Sequence, residues 1–138
     1  MDRLLASFAP HMLSVLRITA ALTFLSHGTV KLLGFPDVGR PGPGMFALSW
    51  FAGVLELLGG LMLLLGVFTR PVAFVLSGMM AFAYFISHWP RGITPISNGG
   101  EAAYLFCFLF LYIACAGGGP WSLDSMRGWA SGGDAAKR

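Results

Sequence analysis

Five side chains give this 138-residue sequence its capacity for acid–base chemistry: His27, Lys31, Glu56, His88 and Glu101. Glu56 is the most demanding of them, because it lies near the middle of an apolar stretch running from Phe46 to Phe68. A carboxylate at the centre of a bilayer costs about 2.5–3.5 kcal/mol on insertion scales, so it must face protein or water. Ser49, Ala52, Gly53, Gly59 and Gly60 share a helical stripe with Glu56, and such residues let helices approach closely in lipid. Glu56 is therefore expected to point into a bundle, either as a paired residue fixing helix register or as a binding and proton-handling group.

His27 and Lys31 are i,i+4 neighbours in the preceding apolar stretch, so their side chains can meet on one helix face. At 100° per residue Lys31 lies about 40° and His27 about 80° from Arg17, and Ser14, Ala20, Ala21 and Gly28 fill out the same arc. Arg17 belongs to the other end of this helix, where it can snorkel or bind backbone carbonyls, and is left outside the site. Glu101, Tyr104, Phe108, Tyr112 and Cys115 recur at three- or four-residue steps, giving an aromatic stripe that reads as bundle core or as a slot for a planar lipid-soluble ligand.

The elements that must position these residues are membrane helices. Hydrophobic residues make up 56% of the chain and charged ones 11%, against roughly 25% charged in soluble domains. An all-α integral membrane protein is expected, a bundle of four transmembrane helices over about 10–33, 46–66, 71–89 and 101–116, in a single domain. The net charge of +3 comes without a basic cluster and gives no reason to expect nucleic acid as a partner; the lipid bilayer is the expected one. The first apolar segment contains Arg17 and lacks a cleavage pattern, so it reads as a retained helix and not as a signal peptide. Cys107 and Cys115 stand eight residues apart on one helix, about 12 Å, too far to bridge each other. No metal site is expected.

Between the spans, the loop GFPDVGRPGPG at 34–44 forbids regular structure, and Pro71 suits the first turn of a third helix antiparallel to the second. Asn98-Gly-Gly-Glu101 has the spacing of an N-cap with an acid at N3, and Gly117-Gly-Gly-Pro120 ends the fourth helix. Residues 125–138 read as a flexible tail. Arg3, Arg70, Arg127, Lys137 and Arg138 fall on one side of a four-span chain and Arg40 and Arg91 on the other, which predicts cytoplasmic termini. On that topology His27, Lys31, Glu56, His88 and Glu101 are expected to converge in the outer half of the bundle.

The ordered motifs His27-Gly-x-x-Lys31-Leu, Gly53-x-x-Glu56-x-x-Gly59-Gly60, Gly66-x-x-Thr69-Arg70, Asn98-Gly-Gly-Glu101 and Gly117 to Asp124 make the chain resemble the DoxX family of small four-helix bacterial membrane proteins. The resemblance implies a multi-pass protein of the bacterial inner membrane, linked to quinone-coupled oxidation and to a redox partner protein. On that footing the chain is expected to bind a quinone or quinol. Glu56 and His27 would be its catalytic groups, and Lys31, His88, Glu101, Tyr104 and Phe108 its ligand-binding groups. Electrons would come from elsewhere, because the sequence has no CxxC and no dinucleotide fingerprint. The competing expectation is a structural or assembly subunit that anchors a partner enzyme, with a homo-oligomer plausible for so small a bundle. A proton-coupled carrier and a bis-histidine haem through His27 and His88 are weaker alternatives.

Overall fold

The computed structural model describes residues 2–39 and 42–128, with side chains from residue 5 onward. Helix α1 runs over Asp2–Leu33, α2 over Leu48–Leu65 and α3 over Thr69–Ala83. Helix α3 continues through a π turn at Tyr84–His88 and a 3₁₀ turn at Trp89–Arg91. A short α4, Pro95–Asn98, precedes α5, Glu101–Ala116, and α6 covers Leu123–Met126. The described residues contain no strand.

Three of these helices are long and apolar enough to cross a bilayer, namely Leu5–Leu33, Leu48–Leu65 and Thr69–Arg91. Helix α5 is equally apolar but has 16 residues, about 24 Å against a hydrocarbon core of roughly 30 Å. The all-helical membrane class expected from the sequence is the one observed, while length establishes three spans and a shorter fourth apolar helix. Helix α1 begins eight residues before the expected position and carries Pro10 inside it. Most of the expected tail, 129–138, lies outside the described residues, and α6 occupies its approach.

Helix α1 packs chiefly on α2, and α3 chiefly on α5; α2–α3 and α1–α5 contacts join the two pairs. The buried positions of α1 are Ser14, Arg17, Ala20, Ala21, Phe24 and Gly28, and those of α2 are Gly53, Glu56, Gly59, Gly60 and Leu63. These are the small-residue stripes the sequence predicted, with Phe24 and Leu63 added. Phe24 is the hinge of the core, meeting Phe110 edge-on at 4.9 Å and Phe106 at 5.5 Å between ring centres. Leu55, Leu58, Phe74, Phe85, Leu105 and Phe108 cover the outside. Such an apolar exterior suits lipid as its solvent.

The glycines are needed where backbones meet. A Cβ on Gly28 would lie 2.7 Å from the backbone nitrogen of Leu57 and 3.1 Å from the Gly53 carbonyl oxygen, and one on Gly60 would lie 2.9 Å from Leu25 Cγ. Gly66, at φ +69°, ends α2 in a Schellman arrangement: its N–H donates to Leu63 O at 3.1 Å and the Val67 N–H to Met62 O at 3.0 Å.

Three local expectations are corrected. Asn98 is not the N-cap of the last long helix, because α4 intervenes and Gly99 turns the chain at φ +68°. Gly100 occupies the cap position of α5 without a side-chain bond, so Glu101 stands in the first turn and not at N3. The buried Asn98 amide instead accepts from Gly100 N–H at 2.8 Å and donates to Gly92 O at 2.9 Å and Tyr84 Oη at 3.2 Å. The third span is not uniform either, since its last turn widens into the π turn. Finally, the stripe of α5 that meets the bundle is Ala103, Phe106, Phe110 and Ile113, while Tyr104, Phe108 and Tyr112 are exposed. Three-residue and four-residue steps describe both faces of an α-helix, so periodicity alone did not choose between them.

Because the obstacle at Gly28 is backbone that cannot move aside, Gly28→Ala should lower stability in detergent by about 1–3 kcal/mol. Gly78, within α3, has open space around it, and Gly78→Ala should raise stability by up to about 1 kcal/mol through helix propensity. Equal melting temperatures for the two variants would contradict the close α1–α2 approach.

Candidate functional site

Lys31 sits in the last turn of α1, three residues beyond the point where Gly28 admits α2. The Gly53 position is equally tight, a Cβ there meeting Lys31 Cβ at 3.0 Å, so the lysine stem lies flat on α2. One helical turn on from Gly53, Glu56 reaches back: Lys31 Nζ stands 2.6 Å from Glu56 Oε1. The two ends differ in environment. The Glu56 side chain is 4% exposed and that of Lys31 30%. Glu56 Oε2 is buried with no hydrogen-bond partner among the described residues. The pair is therefore closed at the carboxylate and open at the ammonium.

Lys31 opens onto two clefts. One, of about 550 Å³, lies between α1 and the Pro-Gly loop and is lined by Ser26, His27, Val30 and Lys31 together with Pro36 and Val38. The other, of about 570 Å³, lies between α2 and α3 and includes Lys31, Ser49, Phe51, Phe82, Ser87 and His88. Both fall in the size range of small-molecule sites. His27 is exposed on α1 with its ring edge-on to Phe106 at 6.5 Å. His88 closes the π turn, stacks on Tyr84 at 6.3 Å and places Nδ1 3.2 Å from Asn98 O. Widened turns of this kind recur at functional sites because they redirect the side chains beyond them.

Of the seven residues singled out by the sequence, the structure thus joins Glu56 to Lys31 and places Lys31 beside His27 in one cleft and beside His88 in the other. Glu101 is exposed at the start of α5. Tyr104 and Phe108, whose rings meet at 5.1 Å, line a third cleft of about 340 Å³ with Tyr84, Phe85 and Trp89. The expected single convergence is a set of three adjacent clefts, two of which share Lys31.

Sequence reasoning left Arg17 aside, yet it is the most completely enclosed charged group, with no exposed surface. Its Nη1 donates to Leu63 O and to Leu64 O at 2.7 Å, Nε to Gly118 O at 2.8 Å and Nη2 to Trp121 O at 2.7 Å. Leu63 and Leu64 belong to the last turn of α2, whose carbonyls lack helical partners and carry the negative end of its dipole. A planar fork of five donors suits that task as an ammonium does not. Asp124 was missed as well. Its Oδ1 accepts from Phe68 N–H at 2.9 Å and its Oδ2 from Thr69 N–H at 2.7 Å, so a carboxylate 55 residues downstream caps α3.

The DoxX family model matches residues 12–89, which contain Arg17, His27, Lys31, Glu56 and His88. The chain belongs to the DoxX family. An uncharacterised protein of Haemophilus influenzae is 44% identical over 126 residues, covering 88% of this chain and 94% of that protein. An uncharacterised membrane protein of Mycobacterium tuberculosis is 30% identical over 141 residues, covering 88% of this chain and 85% of its own length. No solved structure matches the chain. The family match and the apolar helices together make this DoxX protein a membrane protein.

Breaking the ion pair from its two sides should have unequal effects. Lys31→Met strands a buried carboxylate and should cost about 3–5 kcal/mol. Glu56→Leu should cost less, because the Lys31 ammonium can turn outward on its stem. The double variant Lys31→Met/Glu56→Leu should recover most of the loss. Denaturant unfolding in detergent, analysed as a double-mutant cycle, tests this; additive effects would show the two groups to be uncoupled.

Proposed function

We propose that this DoxX protein is a membrane subunit that binds a quinone or quinol in the α2–α3 cleft and works with a redox partner protein at the bacterial inner membrane. The observation that carries the reading is the buried Lys31–Glu56 pair, whose ammonium borders an aromatic-walled cleft while one carboxylate oxygen stays unpartnered behind it. A quinone offers two carbonyl acceptors on a flat apolar ring. Lys31 can donate to one carbonyl, the imidazole of His88 borders the same space, and Phe51 and Phe82 supply apolar walls. When bound, the quinone supplies the two-electron, two-proton chemistry. Glu56 holds Lys31 in place and stands one hydrogen bond from the cleft, where it would take the general acid–base role.

Tyr104, Phe108 and Glu101, on α5, do not line this cleft, and His27 lines the cleft on the other side of Lys31. The assembly-subunit alternative keeps the ion pair but gives it packing alone, so it separates from the quinone reading by ligand response. A ligand at a hundred times its dissociation constant stabilises the folded state by about 2.7 kcal/mol. Ubiquinone and menaquinone analogues should therefore raise the melting temperature of the purified full chain by several degrees. Lys31→Met and His88→Ala should abolish that shift and His27→Ala should preserve it. An absent shift, or one indifferent to Lys31 and His88, would leave packing as the role of the pair.

On the same reading both termini lie in the cytoplasm, with the α2–α3 turn and its Arg70 beside them. A green fluorescent protein fused to the C-terminus should fluoresce in intact cells. An alkaline phosphatase fused there should be inactive, and the reverse pattern would invert the topology.

A further inference from the structure

At the end of α2 remote from Lys31, a further cavity of about 440 Å³ opens between the α2–α3 turn and the Gly117–Pro120 loop. Its polar lining comes from Thr69, Arg70, Gly118, Gly119 and Asp124, and Leu13, Phe68 and Pro71 form apolar walls. The hydroxyls of Ser122 and Ser125 also line it but already donate, to Gly119 O and to Pro120 O and Ser122 O. Thr69 is 1% exposed, and its Oγ1 finds no hydrogen-bond partner among the described residues. Arg70 donates through Nη1 to Cys115 O at 2.6 Å and Ala114 O at 3.3 Å, which anchors the guanidinium and leaves Nε and Nη2 without a bond among the described residues. The backbone N–H groups of Arg70, Gly118 and Gly119 also have no partner there.

The unspent groups are thus donors. The one carboxylate in the lining, Asp124, already accepts two backbone N–H bonds at the start of α3. Arg17 stands behind the loop, bonded to Gly118 O, and neither Arg17 nor Arg70 is ion-paired among the described residues. The lining itself sets one guanidinium, Arg70, against one carboxylate, and the buried Arg17 guanidinium behind the loop adds a further positive charge nearby. The complement of a hydroxyl, a guanidinium edge and free backbone N–H groups is a compact anion with several acceptor oxygens. We propose that this cavity binds an anionic phosphate group, carried either by the headgroup of an anionic phospholipid or by free phosphate. Basic pockets between membrane helices take lipid headgroups in this way, with the acyl chains lying on the apolar walls.

The test uses the delipidated full chain in detergent, with phosphatidylglycerol, diacylglycerol and inorganic phosphate as separate probes, read by native mass spectrometry and by melting temperature. Phosphatidylglycerol is expected to bind and diacylglycerol, which lacks the phosphate, is not. Thr69→Val and Arg70→Gln should each weaken binding about tenfold, the value of one hydrogen bond of ordinary strength. Because Thr69 Oγ1 bonds nothing among the described residues, Thr69→Val should keep the melting temperature of the lipid-free chain, so lost binding cannot be blamed on lost fold. Inorganic phosphate that displaces the lipid and protects the wild type but not the two variants assigns the site to free phosphate; lipid binding that millimolar phosphate leaves untouched assigns it to the headgroup. Equal binding of phosphatidylglycerol and diacylglycerol, or of phosphatidylglycerol by wild type and both variants, overturns the proposal.

Discussion

The close approach of α1 to α2 is the constraint on which the rest of the structure depends. In lipid there is no hydrophobic drive to hold two apolar helices together, so contact rests on packing distance and on polar groups satisfied across the seam. Gly28 sets the distance, because its missing Cβ is the space in which the Leu57 backbone lies. Once that distance is fixed, a lysine stem and a glutamate one turn apart on facing helices have no choice but to meet. The same seam brings Arg17 to the last turn of α2, where it donates to the carbonyls of Leu63 and Leu64. The glycines and the charges are thus one device: without the first the second could not reach.

The ends of the bundle are closed by side chains that act far along the chain. Arg17 ties α1 to α2 and to the loop after α5, and Asp124 caps α3 from beyond that loop. At the opposite end Asn98 binds the π turn of α3 to the start of α5. Each satisfies backbone groups that a bilayer gives no water to satisfy. The four helices are therefore held at their tips by polar bonds and along their lengths by small residues, by Phe24 and Phe110, and by Leu63, Leu76 and Ile113, with further aliphatic and aromatic side chains on the exterior.

How much of this was legible in the sequence depends on whether a residue declares its own partner. The helices, the buried stripe through Gly53, Glu56, Gly59 and Gly60, and the reach of Lys31 to Glu56 are dictated by period, residue size and charge. Of the two expectations for Arg17, snorkelling or binding backbone carbonyls, the structure shows the second. Which carbonyls it clamps, those of Leu63, Leu64, Gly118 and Trp121, was not legible, since backbone carbonyls carry no residue signature. The π turn at Tyr84–His88 inserts one residue into a helical period and rotates every later position by about 100°, which a uniform wheel cannot show. The buried line of α1 passes through Arg17, Ala21, Phe24, Gly28 and Lys31 in alternating steps of four and three, so His27, one residue off that line, faces outward. The aromatic steps of α5 fitted both faces, and packing on Phe24 of α1 chose Phe106 and Phe110 over Tyr104 and Phe108.

The asymmetry of the Lys31–Glu56 pair is a feature that helix register alone does not require. A pair that served only to align two helices would do as well with both carboxylate oxygens satisfied, or with apolar residues of similar volume, because buried ion pairs contribute little net stability. Here Oε2 is left without a partner among the described residues, at a cost of about 1–3 kcal/mol for a buried acceptor. A proton on Oε2 would remove the charge that holds Lys31 and let the ammonium turn toward either of the clefts it borders. On the proposed reading, an acceptor in either cleft would compete with Oε1 for the Lys31 ammonium, so ligand binding and the α1–α2 ion pair would act on the same bond.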